Sequence, residues 1–284
     1  MMNPSTAIPV KRAAVGIAAN VRVALWLSVA IIPLVAVAAA AGLLAPAVYQ
    51  RNPATLIPAL RGQDLVTLLL VPTLGGALWG AWRGSIRATL IWIGLLGYMF
   101  YTYTGAALGY YFAELTPLYI ALFSLSVFAL AAAASGIDPA SIAERFDPTT
   151  PRRAVASFLA LIGLLLAGLW LGQIGAYLRS GVLPTGVVAA GGGPYFVYAL
   201  DLGLIVPISV LGAIWLWQGR PWGSILASYM LVKATTMGLA LLAMNWFNLQ
   251  SGIPTEPVEQ LGFYTLLALG GPAIAVWFFR HCRG

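Results

Sequence analysis

Short polar segments divide this chain into about eight apolar runs, each close to the length a helix needs to cross a bilayer. The runs are Val23–Leu44, Asp64–Trp82, Ala88–Tyr110, Thr116–Ser135, Ala154–Leu178, Pro194–Trp217, Trp222–Met244 and Leu261–Phe279. A helix rises about 1.5 Å per residue and pairs its own backbone groups, so about 20 apolar residues cross a hydrocarbon core of about 30 Å. Only 8% of the residues are charged. A water-facing domain carries roughly 25%, so the outer surface of this fold must face lipid. The runs are about 20 residues long and lack period-2 alternation, which argues against a β-barrel. The expected fold class is therefore an all-α integral membrane protein of about eight transmembrane helices. No connecting segment is long enough for a separate soluble domain.

The first run follows Lys11, Arg12 and Arg22 and ends in an alanine-rich stretch, as a signal peptide would. It is longer than an h-region of about 7–15 residues, so it is expected to stay as the first helix. Loop charges then orient the bundle. Lys11, Arg12, Arg22, Arg83, Arg87, Arg145, Arg152, Arg153, Arg220, Arg280 and Arg283 fall on the side of the N-terminus, and Arg51, Arg61 and Arg179 on the other. Positive residues stay cytoplasmic, so both termini are expected in the cytoplasm of a plasma (inner) membrane. Asp64, Glu114, Asp201, Glu256 and Glu259 fall toward the outer side, and Asp138, Glu144 and Asp147 on the inner loop.

A pattern recurs. Asp64-Leu65, Val71-Pro72, Trp79, Trp82 and Gly84-Ser85-Ile86 in the first half match Asp201-Leu202, Val206-Pro207, Trp215, Trp217 and Gly223-Ser224-Ile225 in the second. It predicts a duplicated four-helix unit in parallel orientation: a tail over 1–22, a first repeat over 23–136, a cytoplasmic loop over 137–153, a second repeat over 154–279 and a tail over 280–284.

Lys233 is the most conspicuous residue for function, because it interrupts the otherwise uncharged run Trp222–Met244. A lysine at the bilayer centre costs at least about 2.5–3.5 kcal/mol on insertion scales, and Asp201 in the preceding run is its expected partner. The pair reads either as a fixed packing contact or as a proton- or substrate-handling site. Asp64 matches Asp201 in the repeat; it reads as an N-cap of the second helix, or as an interior residue if Ile57–Gln63 extend that helix. Pro72 and Pro207 are candidate helix breaks that free the carbonyls of Leu68 and Gly203. Tyr98 and Tyr101, with Thr102, Thr104, Thr235 and Thr236, could line a cavity or bond between helices. Trp79, Trp82, Trp215, Trp217 and Trp222 suit an interfacial belt. Gly75, Gly76, Gly105, Gly163, Gly168, Gly172 and Gly175 are expected at close helix contacts.

Cys282 and His281 are the single cysteine and histidine. They exclude an internal disulfide, bis-histidine haem and HExxH zinc chemistry. There is no P-loop, no Rossmann glycine pattern and no GxSxG. No metal, cofactor or nucleic-acid partner is expected, and no protein partner is named by the sequence. The expected partners are the lipid bilayer and a small solute or a proton. Three readings follow: a secondary transporter or permease-like protein, a non-catalytic scaffold or accessory subunit with a structural buried pair, and, least supported by residue types, an intramembrane enzyme acting on a lipid-like substrate.

Overall fold

A computed structural model describes residues 18–192, 195–253 and 257–283. The expected tail with Lys11 and Arg12, and the expected helix start at Pro194, lie outside these residues, as does Glu256. The chain runs through α1 (Ala19–Leu44), a 3₁₀ turn (Pro46–Tyr49), α2 (Ile57–Trp82), α3 (Ile86–Gly109), α4 (Thr116–Gly136), the short α5 (Pro139–Ala143), α6 (Arg152–Ser180) and the short α7 (Thr185–Ala189). It continues through α8 (Phe196–Leu200), a π segment (Asp201–Ile205) and α9 (Val206–Trp217), which form one rod, and then α10 (Pro221–Gln250). The last rod is α11 (Val258–Thr265), a second π segment (Leu266–Gly270) and α12 (Gly271–Arg280).

Seven of these rods are long and apolar enough to cross a membrane: the chain is an all-α, multi-pass membrane protein. The eighth long helix, α3, falls outside that set. Its second half carries Tyr98, Tyr101, Thr102, Tyr103 and Thr104, and all five are buried in protein. Polar side chains are tolerated there because other helices, not lipid, surround them.

Local chemistry sets the helix ends. Proline occupies the first turn of α2, α4, α5 and α10, where its missing N–H has no intrahelical role. The Ser85 hydroxyl caps α3 by accepting from the Ala88 N–H at 3.3 Å. Gly181 closes α6 with φ of 70°, a conformation that favours glycine. Asp64 is not an N-cap: α2 starts at Ile57, which places the carboxylate inside the helix. Nor does Pro72 break α2, which runs unbroken to Trp82. By contrast, a π segment lies just before Pro207 and another just before Pro272. Proline removes a hydrogen bond and crowds the preceding turn, and widening to π geometry accommodates both.

The bundle is organised about α3 and α10. α10 packs against α2, α3, α9 and α12, and α3 against α2 and α4. The two central helices meet where Gly94 faces Val232 and Gly97 lies against the ring of Tyr229. Around them, α1 packs with α2 and α4, and α6 with α9. Of the expected glycine contacts, Gly105 lies against the Phe196 ring and Gly163 against Ser209, whereas Gly75, Gly76, Gly168 and Gly172 face open space; further close approaches are at Gly42, Gly62, Gly94, Gly97, Gly223 and Gly238. A glycine run in an apolar helix thus does not report which face meets a neighbour.

One end of the bundle gathers the basic loops. Asn20 Nδ2 donates to Ser135 Oγ at 3.1 Å, Arg87 Nη2 to the Cys282 carbonyl at 2.6 Å, and Arg283 pairs with Asp147 at 3.1 Å. Arg83 lies over Trp79 and Arg153 over Trp217. Trp26 and Trp82 meet edge to face at 4.9 Å. The C-terminal strand-like contact between Phe146 and Cys282 buries the thiol; burial raises its pKa despite the nearby Arg87 and Arg145.

Candidate functional site

A buried lysine in the centre of a bundle needs compensation, and α10 brings Lys233 to α3 rather than to lipid. The side chain is 4% exposed, and its Nζ lies 3.9 Å from the ring centroid of Tyr101. A desolvated cation over an aromatic face is held by about 2 kcal/mol. Asp201 is 5% exposed and sits at the first position of the π segment. Its Oδ2 accepts from Trp170 Nε1 of α6 at 2.8 Å, while Oδ1 is buried without a hydrogen-bond partner. The two charges act on each other, but the expected direct ion pair does not form. Among the described residues the ion pair is Arg283–Asp147. The reason lies in Tyr101, which touches both groups: its ring holds the ammonium and its hydroxyl lies beside the Asp201 carboxylate.

The neighbours of Asp201 are fixed by aromatic packing. Trp170 and Tyr198 pack at 4.4 Å between ring centroids, tilted by 48°, and Tyr198 Oη donates to Gln173 Oε1 at 2.5 Å. Phe196, on the same short helix, covers Gly105 and Gly109 of α3. A side chain at either glycine would meet the Phe196 ring and force it to shift. The π segment rotates the backbone at the carboxylate itself, and such bulges recur at functional sites.

Asp64 forms a second cluster in the first half. Tyr49 Oη donates to Asp64 Oδ2 at 2.5 Å. Burial, and then the Asp64 charge, hold the Tyr49 hydroxyl far above its ordinary pKa, so it stays protonated and donates. Tyr110 packs edge-on against both Tyr49 and Tyr119. The hydroxyls of Tyr103 and Tyr119 are buried without hydrogen-bond partners. Gly42 lies so close to Asp64 and Tyr49 that no side chain fits there. Tyr98, fully buried, shares a 2.8 Å hydrogen bond with Thr67 of α2. Tyr98 and Tyr101 are three residues apart on α3, so this helix reaches both acidic clusters, one with each ring.

Of the two readings of Tyr98 and the threonines, bonding between helices holds for Tyr98, with Thr67, and for Thr102, with Gln63. Thr104, Thr235 and Thr236 bond back to carbonyls of their own helices, and Thr102 accepts from Gln63 Nε2 at 3.2 Å. Thr235 is instead pressed against Gly271 at the α10–α12 crossing. Sequence reasoning missed Trp170 and Tyr49. Trp170 had a usable signal, since it lies deep in an apolar run, away from the positions that suit an interfacial belt. Tyr49 had none, because it sits in a connecting turn 15 residues before Asp64.

Among the described residues no group of histidine, cysteine, aspartate or glutamate could hold a metal ion. No family model matches this chain, and no curated protein or solved structure is significantly similar to it.

Proposed function

We propose that the protein is a secondary transporter or permease-like protein for a small solute or a proton, with Lys233 and Asp201 as its coupling charges. One observation carries the reading. An ammonium and a carboxylate are both withdrawn from water on adjacent rods, yet are held apart by a tyrosine, with one carboxylate oxygen unpartnered. A purely structural pair gains most from closing into a salt bridge with every lone pair satisfied. An incomplete pair is ready to take a proton or a polar solute group. The site is nearly sealed, so this conformation represents an occluded state. Protonation of Asp201 weakens its hold on Lys233, and that change biases which face the site opens to.

In this reading all eight long rods cross a plasma (inner) membrane with both termini cytoplasmic, following the basic end of the bundle. The two halves form a parallel repeat about α3 and α10. The α1–α2 and α6–α9 pairings correspond, and each half places a helix-interior acid against an aromatic donor. Asp64 is then the diverged counterpart of Asp201, since no lysine faces it.

The test is reconstitution of the full chain into proteoliposomes on a solid-supported membrane, with rapid steps of pH or of small organic solutes. A transient current is expected. Lys233→Met should reduce it at least tenfold while leaving elution volume and helix content unchanged. Full current in that variant, or none in the native chain, rejects the proposal. A second reading has its own support: the threonines around Lys233 are satisfied within their own helices, as a static scaffold or accessory subunit requires. It predicts no current, a partner that co-purifies, and a change in stability alone for Lys233→Met.

A further inference from the structure

α4 and α9 line the bundle on either side of the central helices without closing over them, and the gap is an apolar groove of about 320 Å³. Its walls include Phe100 of α3, Val127 of α4, Leu204 of the π segment, Ile208 of α9, and Ile225 and Tyr229 of α10. At the basic end it meets a pocket of about 390 Å³ that contains Arg220, Asp138, Trp215 and Trp222. The two spaces adjoin: Trp222 lines both, and Ile137 lines one where Asp138 lines the next. Each volume is in the range of about 300–1,000 Å³ that holds an organic ligand.

The geometry points to a bound phospholipid with an amine headgroup. The groove offers hydrocarbon walls for an acyl chain. The pocket at its end offers opposite charges that do not pair with each other. Arg220 is exposed at the start of α10 and suits a phosphate, because guanidinium binds two of its oxygens at once. Asp138 uses Oδ1 to cap α5 at Ala140, which leaves Oδ2 for an ammonium, with the Trp215 and Trp222 rings as aromatic faces for the same cation. An anionic headgroup without an amine would meet Asp138 unfavourably. The proposal does not depend on transport.

The test is native mass spectrometry of the full chain in mild detergent, with phosphatidylethanolamine, phosphatidylcholine and phosphatidylglycerol added in equal amounts. Phosphatidylethanolamine should be retained about tenfold over the other two. Arg220→Gln should lower retention of all three. Asp138→Asn should erase the preference for the amine. Ile208→Trp and Val127→Trp fill the groove from opposite walls, and each should reduce retention; if one fails to fold, the other decides. Equal or greater retention of phosphatidylglycerol by the native chain, retention unchanged in Arg220→Gln, or retention unchanged in a folded groove variant overturns the proposal.

Discussion

Replacing Trp170 by Phe removes one hydrogen bond and little else, so it reports directly on the charge state of Asp201. The bond from Nε1 to Asp201 Oδ2 is 2.8 Å long. A hydrogen bond to a charged group contributes about 1.5–3 kcal/mol. Interhelical hydrogen bonds in membranes average only about 0.6 kcal/mol and reach about 1.7, because the unfolded helices find other partners. Asp201 belongs at the top of that range. Its Oδ1 already lacks a hydrogen-bond partner, so the variant leaves the carboxylate with the Tyr101 hydroxyl as its remaining neighbouring donor in a dry interior. Phe keeps a ring against Tyr198, whose centroid lies 4.4 Å from that of Trp170, so the packing loss is small. The expected cost is about 1.5–2 kcal/mol. In an Asp201→Asn background the acceptor is neutral, and the same change should cost about 0.5 kcal/mol. The coupling between the two sites is then about 1 kcal/mol or more, measurable as a double-mutant cycle of unfolding free energies in mixed micelles. Equal costs in both backgrounds would mean that Asp201 is neutral in the folded protein, and the coupling role built on its charge would fall.

Gly62→Ala should destabilise the fold by about 1–3 kcal/mol, as overpacking does. A Cβ there would lie 2.6 Å from the Ala243 carbonyl oxygen, and backbone cannot swing aside as a side chain can; an unchanged unfolding midpoint would contradict the α2–α10 contact. Cys282 is 1% exposed with its thiol pKa raised by burial, so maleimide labelling at pH 7 should be slow in the folded protein and fast after unfolding. Arg87→Gln, which removes the 2.6 Å anchor on the Cys282 carbonyl, should speed that labelling at least tenfold; equally slow labelling would show that the anchor does not hold the C-terminus.

Apolar runs of about 20 residues have one low-energy fate in a bilayer, whatever their order, because backbone polar groups must be paired within the segment. That is why the sequence by itself determined the membrane class and the approximate course of each rod, and why it singled out Lys233 and Asp201 as residues whose charge needs an account. The rotation of each helix was not legible in the same way. With nearly every position apolar, no stripe distinguishes the lipid face from the protein face, so the glycines at real crossings, such as Gly62 and Gly97, could not be told from Gly75 and Gly168. Rotation and depth together decide which polar groups meet. Tertiary packing alone set the Tyr101 ring against Lys233, brought Trp170 to Asp201 and placed Tyr49 on Asp64. It also widened the helix before Pro207 while leaving α2 regular at Pro72, because the response to a missing N–H depends on the surrounding helices and not on the proline alone.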